Sequence, residues 1–355
     1  MARKAEMEFG FFDWIDTRPG PLHEIYEERL KLIEFADRAG FYCYHLAEHH
    51  FGPISNVPSP GLFLSAVAQR TRRIHFGPLC YLLPLYTPAR LIEEICMLDH
   101  LSGGRLEVGV GRGIVPFELM YAGADPNKAK AMFEESLRTI VVGLTHDTLT
   151  HDGEFYHYRD VPMQMRPLQK PHPPFWYPTH TPESVAAIAA RGMNVITVGP
   201  DPRIRELANV YYEQWEKHRG DPDRLNTQVT TPFFGVTKQV FIADSDSEAE
   251  RVARPAYEAW RLNITALFRR VLGDSALPPE GGMFGDYDSA IGGGGGLLVG
   301  SPSVVGERLE QTAATSGANY LMCSFHWGTL THAQALRSLE LFATEIMPKM
   351  RHNSS

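Results

Sequence analysis

An acid and two imidazoles stand side by side where an apolar run ends: Glu48, His49 and His50 in YHLAEHHFGP, residues 44–53. Histidine is the side chain whose charge changes near neutral pH. A first histidine facing a site could act as a base or steady an anion. Adjacent residues of an extended chain point to opposite sides, which turns the second histidine elsewhere. Glu48 could orient His49, as carboxylates orient imidazoles. The same three residues also read as a plain polar loop. A metal would need ligands sharing one face. Adjacent histidines do not, and His45 lies four positions before His49, a helical rather than a strand spacing. No metal is expected, and a metal hydrolase is kept as the lesser alternative.

Two further stretches could hold an anion. In GVGRGI, Arg112 offers a planar donor fork suited to phosphate, between Gly111 and Gly113, which let a ligand approach the backbone. The pattern is not a dinucleotide fingerprint, because its last glycine comes one residue early. In THTPES, a helix opening at Pro182 presents free N–H groups and the positive end of its dipole, and Thr181 and Ser184 add hydroxyls. Each stretch alone reads equally as local structure: tight-turn glycines in the first, a plain helix cap in the second. Glu183 could even satisfy the dipole itself. Their convergence at one end of successive strands favours a phosphate. GPLCYLLPLYTP, which contains Leu79 and Cys80, is apolar and irregular, and suits either core packing or a flat ligand ring.

The elements that must position these residues alternate. Strand candidates open at Met7, Tyr42, Ile74, Leu106, Pro174, Asn194, Thr230 and Tyr320. Helices between them begin with a cap and a proline, as at Ser59-Pro60, Thr87-Pro88, Thr181-Pro182 and Ser301-Pro302. Eight near-continuous apolar strands separated by helices predict an α/β fold, a single (β/α)8 barrel over residues 1–355 with its chemistry at the carboxyl ends of the strands. Two connections are too long for plain loops. Residues 147–173 predict a hairpin insertion after strand four. Residues 273–300, which include the run Gly292 to Gly296, predict a mobile lid before strand eight, or a linker.

The formal charge of -8 without a basic run argues against nucleic acid and anionic membranes. No apolar run reaches spanning length. Four scattered cysteines without metal or redox spacing read as buried thiols of a cytoplasmic protein.

LAEHHF, LCYLLPLYTPARLIEEICMLDHLSGGRLEVGVGRG, PNKAKAMFEESL, TPESVAAIAARG and VGSPSVVGERLEQ follow one another here. Together they resemble the bacterial luciferase-like, flavin-dependent monooxygenases in motif and in order. The resemblance implies an eight-stranded barrel that binds reduced FMN, supplied by a separate flavin reductase. With O2 as co-substrate, a flavin C4a-hydroperoxide would oxygenate an apolar or carbonyl-bearing organic substrate. His49 resembles the active-site histidine beside the flavin, Arg112 the phosphate arginine, and Thr181 and Ser184 the phosphate contacts at the helix start. Leu79 and Cys80 resemble the pair whose cis peptide backs the flavin ring. Lys130 stands where many members carry an arginine, and Gly111 where luciferases carry a reactive cysteine, so light emission is not implied. The family commonly pairs, as a homodimer or with a related chain, through helices near strands two to four. An F420-dependent oxidoreductase is the alternative on the same fold, and a non-catalytic binding module a third class.

Overall fold

All eight apolar segments become strands of one parallel sheet. The structure, a computed structural model, describes residues 7–273, 285–292 and 296–352. Its strands are β1 (Glu8–Asp13), β2 (Cys43–Leu46), β3 (His75–Pro78), β4 (Tyr81–Leu82), β5 (Val108–Gly111), β6 (Thr148–Asp152), β7 (His157–Pro162), β8 (Phe175–Pro178), β9 (Asn194–Thr197), β10 (Phe234–Ile242), β11 (Leu297–Gly300) and β12 (Tyr320–Ser324). Neighbours run β3, β2, β1, β12, β10, β9, β8, β5. A parallel bridge between Phe76 and Leu106 joins the two ends of that path into an eight-stranded barrel. The helices are α1 (Leu22–Ala39), α2 (Pro60–Arg70), α3 (Pro88–Ser102), α4 (Pro116–Tyr121), α5 (Ala129–Thr145), α6 (Pro182–Ala190), α7 (Asp201–Lys217), α8 (Asp246–Leu272), α9 (Tyr287–Gly292), α10 (Pro302–Ser316), α11 (His332–Leu341) and α12 (Met347–His352).

Local chemistry sets most of these boundaries. The four helices opening on a cap and a proline begin where the sequence placed them. Pro fits the first helical position because its missing N–H has no intrahelical acceptor there. Helix α3 stops at Gly103, whose φ of 67° is left-handed. The segment from Ile74, expected as one strand, divides into β3 and β4 around a cis peptide between Leu79 and Cys80. The close approach of β3 to the fifth strand requires glycine. A Cβ at Gly77 would lie 1.7 Å from the Glu107 carbonyl oxygen, and one at Gly109 would lie 2.3 Å from that of Pro78.

Residues 147–173 hold the antiparallel hairpin β6–β7, outside the barrel. The segment 273–300 departs from a continuous lid. Residues 287–292 form α9, and Leu297–Gly300 are a buried strand paired with the far half of β10. A run of three apolar residues after glycines is too short to announce itself as a strand; pairing with β10 makes it one. Residues 274–284 and 293–295 of the expected lid lie outside the described residues.

Alternation along the strands sorts side chains between the barrel interior and the helical layer. At the amino end of the interior, Glu107 accepts hydrogen bonds from Tyr42 Oη (2.8 Å), Trp176 Nε1 (2.6 Å) and the His75 imidazole (3.1 Å). His45 is bonded to Tyr320 Oη at 2.8 Å, and burial, helped by His75, pushes its imidazole down to about 3, so it stays neutral. Above this layer Phe12, Ala47, Leu79, Ile196 and Met322 form an apolar floor. Among the described residues, no helix is long and apolar enough to cross a membrane.

Candidate active site at the carboxyl ends of the strands

The turn after β2 carries Glu48, His49 and His50 above the floor, and two carboxylates divide the imidazoles between them. His49 Nδ1 lies 2.9 Å from Glu118 Oε1. That oxygen also accepts the backbone N–H of His50 at 3.1 Å. An Nδ1–H donated to a carboxylate leaves Nε2 as the ring nitrogen free to exchange a proton. Glu118 is buried on the short helix α4. It reaches His49 because the chain reverses at Gly113, whose φ is 83° and where a Cβ would crowd Leu119 at 3.2 Å.

Glu48 does not orient His49, as the sequence suggested. Its carboxylate takes His50 Nε2 at 2.8 Å, Tyr86 Oη at 2.8 Å and the Leu82 N–H at 3.2 Å. Alternation explains the switch: Glu48 and His50 share one side of the extended chain and His49 takes the other. Burial raises the Glu48 carboxyl above its ordinary range, against the pull of His50, Tyr86 and the Leu82 N–H. Burial pulls the His50 imidazole down, but the Glu48 hydrogen bond and charge, with Glu118 adding, shift it upward overall. The sequence reading missed Glu118 and Tyr86. They stand 69 and 36 positions from His49 and His50, and no local pattern marks either one as a partner.

The neighbouring residues settle beside this pair. The Leu79–Cys80 cis peptide expected from the resemblance is present. Burial, with the Glu48 and Glu118 charges, raises the Cys80 thiol, which disfavours the reactive thiolate form. Gly111 makes room for Cys80, whose Sγ would sit 2.2 Å from an added Cβ. Both glycines flanking Arg112 thus serve the packing of the chain itself. Arg112 is exposed, and among the described residues it has no hydrogen bond or ion pair. Its charge reaches Tyr177, the penultimate residue of β8, whose phenol is raised by burial and by Cys80 and lowered by Arg112.

Helix α6 starts one short turn beyond β8. Thr181 caps it by accepting the Ser184 N–H at 3.4 Å, so the plain-cap reading holds for that oxygen. The Thr181 O–H and the Ser184 hydroxyl remain able to donate. Lys130 is exposed in the first turn of α5 and is not brought to these groups by any contact among the described residues. No three metal-ligating side chains come together among the described residues.

A group with a flat ring and a phosphate fits what is present. The apolar floor and the Leu79–Cys80 segment would take the ring. An unpaired Arg112, the Ser184 hydroxyl and the start of α6 would take the phosphate.

Comparison with known proteins agrees with this geometry. A family model described as luciferase-like monooxygenase matches residues 7–320. An uncharacterised protein of Sinorhizobium fredii is 37% identical over 98% of this chain and 98% of its own. The oxygenase component of flavin-dependent trigonelline monooxygenase from Acinetobacter baylyi is 28% identical over 65% of this chain and 63% of its own. Among solved structures, the oxygenating constituent of 3,6-diketocamphane monooxygenase from Pseudomonas putida, in complex with FMN, superposes with a TM-score of 0.76 at 24% identity, covering 97% of this chain and 98% of that one. The F420-dependent tetrahydromethanopterin reductase of Methanopyrus kandleri does so with a TM-score of 0.72 at 16% identity, covering 98% and 100%, a likeness of fold. The model match spans most of the chain and includes the histidine pair, the cis peptide, Arg112 and the start of α6, so this protein belongs to the luciferase-like monooxygenase family.

Proposed function

We propose that this chain is the oxygenating component of a two-component monooxygenase, taking reduced FMN from a separate flavin reductase. It would insert one atom of O2 into an apolar or carbonyl-bearing organic substrate. The observation that carries the reading is His49, held by buried Glu118 above an apolar floor, at the same barrel end as an unpaired arginine. Reduced FMN, when bound, supplies the electrons that activate O2. Arg112, Ser184 and Thr181 would hold its phosphate, and Leu79 and Cys80 would lie against its ring. His49 holds or moves a proton through Nε2 while Glu118 fixes Nδ1. Glu48 acts one step away, bonding His50, Tyr86 and the backbone so that the turn keeps its shape. The apolar floor would help exclude water, which protects a reactive oxygen species from wasteful decay. Lys130, exposed on α5 and without a contact to these groups among the described residues, would add only longer-range positive charge rather than a planar grip.

Exposed Leu62 on α2, with Met97 and Leu101 on the adjoining α3, supports association with a second copy or a related chain. Sedimentation would show a dimer that Leu62→Arg disrupts. Four free cysteines suit a cytoplasmic setting.

The test loads the protein anaerobically with FMNH2, adds O2 and an organic substrate panel, and follows product mass and peroxide. His49→Ala should lower oxygenated product by roughly 10²–10⁴-fold, raise peroxide release, and leave FMNH2 binding nearly unchanged. Equal product from both proteins removes His49 from the chemistry. Turnover with reduced F420, and none with FMNH2 and O2, replaces the reading with hydride transfer.

A further inference from the structure

The apolar floor has a counterpart above it. Phe241, Leu297, Val299, Tyr257, Tyr287 and Trp327 belong to a second apolar cluster, built from β10, β11, α8, α9 and the turn after β12. Trp14, at the end of β1, packs against both clusters. Three buried polar side chains stand at the seam between them, and each keeps a polar atom without a partner among the described residues: Gln239 Nε2, Ser324 Oγ and Trp260 Nε1.

Strand geometry gives their direction. On β12, Tyr320 bonds His45 inside the barrel and Met322 lies in the floor, so Ser324, two residues on, faces the same interior one layer higher. On β10, a Cβ at Gly235 would meet Ile196 at 2.4 Å and Tyr320 at 2.8 Å, which sets that position inward. Gln239, four residues on, therefore faces inward too, and its Cα partner across the sheet is Ser324. Trp260 descends from α8. Its ring lies 5.2 Å from that of Trp14, which in turn lies 4.6 Å from Phe12 of the floor. Ser324 is 0% exposed, Trp260 3% and Gln239 7%, so solvent does not satisfy them.

Buried polar atoms in folded proteins are nearly always bonded, and unpaired ones need an explanation. The amino end of this same barrel follows the rule, with Glu107 satisfying Tyr42, His75 and Trp176. At the seam three groups able to donate each keep a polar atom that finds no acceptor among the described residues. An indole N–H can only donate, the unpartnered amide nitrogen can only donate, and a hydroxyl can do so. The missing partner is an oxygen acceptor. It carries no full negative charge, because a buried anion needs a cation and the buried cations of these strands and helices are committed elsewhere. Lys238 faces outward to Asp201 at 3.3 Å, and Arg29, on α1, is ion-paired with Asp13 at 3.0 Å and Asp16 at 3.8 Å.

We propose that Gln239, Ser324 and Trp260 form a donor wall that receives the neutral carbonyl oxygen of the substrate and so selects ketones, or comparable carbonyl compounds, over hydrocarbons. This deepens the monooxygenase reading and rests on it for the reaction, but not for the binding.

The test measures binding of matched pairs, cyclohexanone with cyclohexane and 2-decalone with decalin, to the full-length protein loaded with oxidised FMN. Quenching of tryptophan fluorescence reports the first ligand and saturation-transfer NMR confirms it. Wild type should bind at least one ketone about tenfold or more tighter than its hydrocarbon, the worth of one hydrogen bond. Gln239→Leu with Ser324→Ala should erase that preference while hydrocarbon and FMN affinities stay. Gln239→Met, which keeps the side-chain length, serves if the leucine variant folds poorly, and Trp260→Phe probes the third donor alone. No ketone preference in either pair, or a preference that survives the substitutions, overturns the wall. Ketone selectivity without oxygenated product from FMNH2 and O2 would instead leave the wall standing and remove the monooxygenase reading.

Discussion

At the amino end of the barrel, one carboxylate, Glu107, accepts from a phenol, an indole and an imidazole, and a second imidazole is bonded to Tyr320. At the carboxyl end, an indole, an amide and a hydroxyl keep atoms that are unpartnered among the described residues, and across the barrel an exposed arginine is likewise unpaired among them. The same strands supply both layers, so the contrast is not one of core against surface. Where every donor finds an acceptor the polar layer holds the fold together. Where donors find none, the protein carries their desolvation in exchange for an ability to bind. The histidines divide in the same way. His45 is driven neutral by burial and sealed, whereas His49 is anchored through one ring nitrogen and keeps the other available.

The largest expected effect tests the amino end as a structural layer. Glu107→Ala leaves Tyr42, His75 and Trp176 without their acceptor. Each orphaned donor costs about 1–3 kcal/mol, with partial relaxation toward solvent, so stability should fall by about 3–5 kcal/mol. Urea unfolding measures it, and the folded fraction should still bind FMN. A loss under about 1 kcal/mol would mean that the layer is not what distinguishes this end.

At the opposite end the same size of change should appear in binding rather than in folding. Arg112→Ala should weaken FMNH2 affinity by about 1.5–3 kcal/mol, the worth of a hydrogen bond to a charged group. Stability should move by less than about 0.5 kcal/mol. Anaerobic titration and urea unfolding read the two separately, and an affinity left intact would take Arg112 out of the phosphate site.

The smallest effect concerns the turn that joins the two regimes. The folded-state pKa of His50 is raised, since Glu48 and Glu118 outweigh its burial. Its contribution is therefore fully present below the ordinary imidazole value of about 6.5 and is lost as pH rises through the raised value. Asp16, which burial raises to about 6 against the pull of Arg29, gives a slope of the same sign at lower pH. Asp16 is unaltered in a His50→Gln variant, so the difference between the two proteins reports the Glu48–His50 pair. Wild type should lose on the order of 1 kcal/mol more than His50→Gln across that window, in unfolding curves taken stepwise upward from about pH 6. Parallel curves would show that the Glu48–His50 bond contributes nothing to the fold.

Helix starts at Thr87-Pro88 and Thr181-Pro182, the stop at Gly103, and the alternation that makes parallel strands were all legible in the chain. Each rests on contacts within a few residues: a missing N–H, a left-handed φ, a period of two. The positions of the candidates His49, Arg112, Thr181 and Ser184 were legible for a related reason, since a place at the end of a strand or the start of a helix is itself a local feature. Partnerships were not. Glu118 rather than Glu48 takes His49 because a turn at Gly113 brings a distant helix under the imidazole. Leu297–Gly300 becomes a strand because β10 extends far enough to pair with it. Gln239 and Ser324 meet across the sheet although 85 positions separate them in the chain. Such contacts depend on barrel closure and register, which set every long-range neighbour together, and no short window of sequence contains that information.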